Sequence, residues 1–208
     1  MTHMNKTILN KISFKTQNKN ISAFKLLNPF SAFNIKVIDF FDEISQEIFK
    51  INNLRKYADL ASFGFFCRKS NLLNFKKKYS INTATRSGRG NSLHFTPTNV
   101  PLNFAYSLLF GLITGNNCLI RIGTKEFPEG DILLKIINKI LNKTKFRNLK
   151  KRILIINYIK NKEITDILSN ISDIRLIWGS DTSIDEIRES KLKSHAYDVI
   201  FPDRISVC

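Results

Sequence analysis

Between His94 and Lys125 the chain reads HFTPTNVPLNFAYSLLFGLITGNNCLIRIGTK: a strand, a polar loop, an apolar helix and a second strand in immediate succession. Strands joined through a helix run parallel, so this stretch predicts a βαβ unit and narrows the fold to a sheet with helices laid across it. His94 to Thr96 ends the first strand. Pro97 and Pro101 fix φ and hold the loop extended, with Thr98 and Asn99 as paired polar side chains between them. The helix begins near Pro101. Leu102, Phe104, Ala105, Leu108, Leu109, Leu112 and Ile113 cover most of its circumference, and Gly115-Asn116 supplies the left-handed stop. Cys118 to Ile122 is the next strand. A loop at the carboxyl end of a strand, opening into a helix amino terminus, is where open α/β sheets hold ligands, which makes Asn99 a site candidate.

The alternation continues beyond Lys125. Pro128 suits a helix first turn, with Glu129 and Asp131 near its positive end and Ile132, Leu133, Ile136, Ile137, Ile140 and Leu141 as the buried stripe. Arg152 to Tyr158 has strand length, Ile164 to Leu168 belongs to a brief helix, and Ile174 to Trp178 is a further strand. Asp181 or Thr182 is expected to cap a helix over Ser183 to Ser190, and Tyr197 to Phe201 and Ile205 to Cys208 read as strands. The expected fold class is therefore α/β: a Rossmann-like, doubly wound parallel sheet preceded by helices and incomplete at the C-terminus.

Three regions follow. Residues 1–36, with six Lys, no acid and scattered apolar residues, read as an irregular basic arm. Residues 37–90 form a helical segment and a loop, with helical spacing through Val37, Phe40, Phe41, Ile44 and Ile48 and again through Leu54, Tyr57, Leu60 and Ala61, which predicts two helices. The loop carries Arg86-Ser87-Gly88-Arg89-Gly90, whose G-x-G spacing follows no strand and makes a poor dinucleotide fingerprint. Residues 91–208 form the sheet domain.

The chain has 33 basic and 17 acidic residues and a net charge of +16. No acid interrupts Arg68, Lys69, Lys76, Lys77, Lys78, Arg86, Arg89, Arg121 and Lys125, nor the run between Asp131 and Glu163. Such a field attracts phosphates but does not choose among a dinucleotide, coenzyme A and nucleic acid. Cys67, Cys118 and Cys208 have no C-x-x-C spacing, and His3, His94 and His195 make no metal pattern, so no metal site is expected and the thiols are expected reduced, in a cytoplasm. The run Leu102 to Thr114 is too short to span a bilayer.

Pro97-x-Asn99-x-Pro101, the apolar helix, Gly115-Asn116 and a strand with a basic residue at its end resemble the cofactor domain of the aldehyde dehydrogenase superfamily, and most closely its luminescence-type long-chain acyl-CoA reductases. Phe65-Phe66-Cys67-Arg68-Lys69-Ser70-Asn71 and Ile177-Trp178-Gly179-Ser180-Asp181 are similar to the same family, so the resemblance spans Val37 to Cys208.

The resemblance implies NADPH-dependent reduction of a long-chain acyl-CoA to a fatty aldehyde, through a cysteine thioester. By it Asn99 is the oxyanion donor, although an amide that only bridges loop backbone fits the residues as well. Thr96, Pro97 and Thr98 fall to the cofactor, as do Arg121 in place of a ribose-binding lysine and Thr124 and Lys125 where relatives that prefer NAD carry an acid. Arginine's planar fork suits a 2′-phosphate. Gly179 and Ser180 fall where the pyrophosphate meets a helix amino terminus.

The nucleophilic cysteine of the family lies beyond the chain's end, its glutamate base falls near Phe201, and Cys208 matches a strand cysteine in Asp203-Arg204-Ile205-Ser206-Val207-Cys208. The chain is therefore expected to be inactive alone. Implied partners are an acyl-CoA or acyl-protein substrate, a separate C-terminal half, an acyl-protein synthetase and an acyl-transferase, with a homo-oligomer left open. The alternatives are a non-catalytic nucleotide-binding remnant and a basic nucleic-acid-binding protein; the second requires aromatics exposed between cations, whereas most Phe fall on apolar helix faces.

Overall fold

The computed structural model describes residues 6–79 and 86–203. Short pieces open it: α1 (Lys6–Leu9), β1 (Ser13–Phe14) and α2 (Ile21–Lys25). Three helices follow, α3 (Ile35–Ile48), α4 (Ala58–Phe66) and α5 (Lys69–Tyr79). Strands and helices then alternate through β2 (Asn91–Phe95), α6 (Asn103–Ile113), β3 (Asn117–Arg121), α7 (Pro128–Leu141), the single turn α8 (Arg147–Lys150), β4 (Ile153–Asn157), α9 (Lys162–Asn170), β5 (Ile174–Gly179), α10 (Asp181–Arg188) and β6 (Tyr197–Pro202).

The strand order is β1-β4-β3-β2-β5-β6, with β2 to β6 parallel and β1 antiparallel to β4. From β2 the chain steps outward through β3 to β4, then returns across β2 to lay down β5 and β6. The reversal leaves a switch point between β2 and β5, where Phe95 stands opposite Ile177, and ligands of open α/β sheets sit outside the strand ends at such a point.

Side-chain alternation along the strands divides the core. Cys118, Ile120, Ile153 and Ile155 turn to the face covered by α3, α6 and α7, while Leu93, Phe95, Leu119, Leu154, Ile156 and Ile177 turn to the face covered by α9 and α10. Helices on both faces make the sheet doubly wound.

Three local expectations are corrected. The segment read as an irregular arm holds α1, β1 and α2; Ile8, Ile12, Ile21 and Phe24 bury themselves in the core of the α9–α10 face, and β1 makes the sheet mixed rather than wholly parallel. The segment expected to hold two helices holds three, α3 to α5, because the chain turns at Cys67-Arg68 between α4 and α5. The loop expected at 86–90 is a loop, with Arg86, Ser87 and Arg89 exposed, and it is tied in place by Gly88 N donating to Phe30 O at 3.0 Å and by a bridge between Ser31 and Ser87. The cap of α10 is Ser180, whose Oγ accepts from Ser183 N at 3.4 Å, so neither Asp181 nor Thr182 caps the helix and both lie within the first turn. Gly115 has φ +92, as the Gly-Asn stop requires, and a Cβ there would lie 2.1 Å from Phe30 O. The strand expected over Ile205 to Cys208 lies outside the described residues, as do His3 and Cys208.

Candidate functional site

The loop after β2 is anchored at its root. Thr96 is buried, and both its N–H, at 3.2 Å, and its Oγ1, at 3.1 Å, donate to the Arg121 carbonyl on β3. Across from it, the loop after β3 is held by Asn157 at the end of β4, whose side-chain amide donates to Ile122 O at 3.1 Å and Gly123 O at 2.5 Å. The two loops touch: a Cβ on Gly123 would stand 2.4 Å from Thr98 Cγ2, so glycine is required for their close approach.

Between them lies a cleft of about 90 Å³, lined by Thr96, Pro97, Thr98, Thr124 and Lys125 together with Gly130 at the start of α7. That volume suits a phosphate or a sugar and is well short of the roughly 300–1,000 Å³ that encloses a whole organic ligand. Lys15 of the N-terminal segment and Asn157 also line it. So do Glu126 and Asp131; Glu126 is 3.7 Å from Lys15 Nζ, which offsets part of its charge.

Arg121 ends β3 opposite Phe95, one residue before the cleft. Its Nη2 donates to Tyr158 O at 3.4 Å and its guanidinium carbon lies 5.5 Å from the centre of the Tyr158 ring. Gly179 and Ser180 lie across the switch point, at the end of β5, and do not line the cleft. Asn99 is exposed in the loop, does not line the cleft, and its side chain makes no hydrogen bond among the described residues; a bridge to loop backbone is therefore not what holds it.

Beneath α6 the β2 strand carries a polar layer that the sequence reading passed over. His94 is fully buried, with Nδ1 2.6 Å from Ser107 Oγ on α6 and Nε2 2.7 Å from Ser92 Oγ. Because Ser92 Oγ donates to Asn117 O at 2.9 Å, it accepts from His94 Nε2–H, and Nδ1 then accepts from Ser107. Burial drives the imidazole pKa down to about 3, so it stays neutral. This network sets the pitch of α6 over β2, and with it the loop between them.

Neither described cysteine is poised as a nucleophile. Cys67 and Cys118 are wholly buried; burial raises the first thiol well above its ordinary value and the second to about 12. At the far side, Trp178 stacks on Phe201 with ring centres 3.9 Å apart and planes at 10°, so an aromatic pair stands where the sequence had placed a family base. Residues that sequence reasoning missed are Lys15 and Asn157; the second had a signal, since it is the one polar residue closing the apolar run ILIIN.

The architecture is that of the aldehyde dehydrogenases. Similar solved structures include a 3,6-anhydro-L-galactose dehydrogenase (TM-score 0.55, 11% identity, 80% of this chain and 39% of that one). A lactaldehyde dehydrogenase gives 0.53 and 14%, covering 87% of this chain and 41% of that one. The betaine aldehyde dehydrogenase of Staphylococcus aureus, in complex with NAD+, gives 0.54 and 12%, covering 80% and 37%. The chain thus spans about two fifths of the length of these enzymes. It belongs to the acyl-CoA reductase (LuxC) family, whose family model matches residues 15–208. Comparison with curated proteins gave no match.

Proposed function

We propose that this chain is the nicotinamide-cofactor-binding part of an NADPH-dependent reductase that converts long-chain acyl-CoA to fatty aldehyde. The observation that carries the proposal is the cleft at the strand ends beside the switch point, where Thr98, Thr124 and Lys125 meet next to Arg121, above a Thr96 whose hydroxyl is committed to the Arg121 carbonyl. That donor set fits a phosphorylated ribose. Arg121 uses one of its nitrogens within the described structure, leaving the rest of its fork for a 2′-phosphate.

Gly179 supports the same reading. A Cβ there would meet only Ser183 Cβ, at an ordinary 3.4 Å, so packing does not demand glycine; an approaching pyrophosphate does. The first-turn amides of α10 and Ser180 then face the phosphates, with Asp181 as an opposing charge.

In this reading the cofactor supplies hydride, and the chain's residues bind and orient it. Asn99, exposed between Pro97 and Pro101, offers its amide to the oxyanion of the acyl intermediate once the catalytic half covers this loop, a contribution of about 3 kcal/mol there. With Cys67 and Cys118 buried, the acyl-accepting thiol comes from outside the described residues, and this chain holds cofactor without completing a turnover. A separate catalytic half, an acyl-protein synthetase and an acyl-transferase are the proposed partners, and a homo-oligomer and a cytoplasmic setting fit as well. No helix among the described residues is long and apolar enough to cross a membrane.

Nucleic-acid binding is disfavoured because many of the aromatic rings lie in the core instead of standing exposed between cations: Phe24, Phe40, Phe41, Phe63, Phe104 and Phe146 are buried. Titration calorimetry with NADPH, NADH and random-sequence RNA at two salt concentrations tests the proposal. Saturable binding with NADPH preferred is the expected result; RNA binding indifferent to NADPH, or no nucleotide binding by the folded chain, overturns it.

A further inference from the structure

Among the fully buried side chains the largest is a charged one, Arg175 on β5, with a side chain 1% exposed. Its Nε and Nη2 donate to the two carboxylate oxygens of Asp198 on β6, at 2.7 and 3.0 Å. Its Nη1 lies 2.9 Å from each of three oxygens: Ser169 Oγ at the end of α9, the Ile187 carbonyl in the last turn of α10 and the Ser190 carbonyl just beyond it. One guanidinium therefore joins four elements, and its positive charge meets the negative end of α10.

Stability alone does not account for it. Desolvating a guanidinium costs as much as such a pair returns, and an apolar side chain of similar volume often serves equally well. What an apolar residue cannot do is fix a helix along its own axis. That constraint matters for α10, which spans only Asp181–Arg188 and fully buries a single side chain, Ile184. Ile184 and the half-buried Ile187 hold this two-turn helix to the core without fixing it along its own axis; the bonds to Ile187 O and Ser190 O supply that constraint.

We propose that Arg175 is the positioning residue of the Gly179–Ser180 turn: by gripping the C-terminal carbonyls of α10 against Asp198, it sets where the helix presents its amino-terminal N–H groups to the cofactor pyrophosphate. The inference rests on the reading that this turn receives the pyrophosphate. It assigns Arg175 a part in cofactor affinity although the residue touches no ligand.

The test separates the two ends of the dinucleotide. Wild type, Arg175→Lys and Asp198→Asn chains are titrated with NADPH and with adenosine 2′-monophosphate, which lacks the pyrophosphate, and thermal midpoints are recorded alongside. Arg175→Lys keeps the charge but loses the fork, and is expected to weaken NADPH about tenfold while leaving adenosine 2′-monophosphate within about twofold. Asp198→Asn keeps Arg175 itself, and a smaller loss of about threefold, confined to NADPH, is expected of it even if the lysine variant does not fold. Equal losses for both ligands, or none for either, overturn the positioning role and leave the pyrophosphate reading standing. Wild type that binds adenosine 2′-monophosphate as tightly as NADPH overturns the pyrophosphate reading, and the positioning role with it.

Discussion

His94 and Ser107 are 2.6 Å apart in the interior, a buried link from the next-to-last residue of β2 to the second turn of α6. In the unfolded chain the imidazole titrates at its ordinary value near 6.5, whereas in the folded chain it is held down to about 3. Between those values the unfolded state binds a proton that the native state refuses, so stability is complete above 6.5 and is lost as pH falls. The slope is about 1.4 kcal/mol per pH unit. Urea denaturation at pH 7 and pH 5 should show a difference of about 2 kcal/mol that disappears in His94→Gln. An unchanged difference in that variant would remove His94 as the source.

Gly111 lies over the same network. A Cβ there would come to 2.5 Å from Cys118 Sγ and 2.9 Å from His94 Cε1. Gly111→Ala should destabilise the chain by about 1–3 kcal/mol through overpacking, and lower the thermal midpoint by several degrees. A midpoint at or above wild type would mean that α6 lifts off the sheet without strain.

Arg121→Ala should separate the two nicotinamide cofactors. With the guanidinium gone, NADPH affinity is expected to fall about tenfold or more and NADH affinity to change little, read by calorimetry at fixed salt. Equal losses would place Arg121 on a group common to both dinucleotides.

Asn157→Leu removes the two donors that hold the Ile122 and Gly123 carbonyls. A cost of about 1–3 kcal/mol in stability is expected, together with weaker NADPH binding, because the loop bearing Thr124 and Lys125 loses its tether. Normal affinity in a destabilised variant would show that the cleft does not depend on that tether.

The two buried thiols give a chemical readout. Alkylation of the native chain followed by peptide mapping should leave Cys67 and Cys118 unmodified on the timescale in which unfolded chain reacts fully, since both must be exposed before a thiolate can form. Fast labelling of either would restore it as a nucleophile.

The βαβ unit was legible because its signals are local: prolines, an all-round apolar helix and Gly115 act within a few residues of their effect. The cleft was legible in part for the same reason, since Thr96 to Thr98 and Thr124 to Lys125 lie at strand ends. What escaped was set by contacts distant in sequence. Ile8, Ile12, Ile21 and Phe24 reach the core from separate short pieces, so no periodicity announces them. The choice of Ser180 over Asp181 as cap turned on where β5 ends, and both residues can cap. Arg175, a lone cation in a strand, looks like a solvated position until β6, α9 and α10 enclose it.

The pairing of Ser13 and Phe14 with Asn157 and Ile156 has a consequence for biosynthesis. The ribosome delivers β1 well before its partner, which emerges only after β2 and β3 have been made. Ser13 and Phe14 must therefore wait unpaired during synthesis, with Ile8 and Ile12 uncovered, until β4 appears.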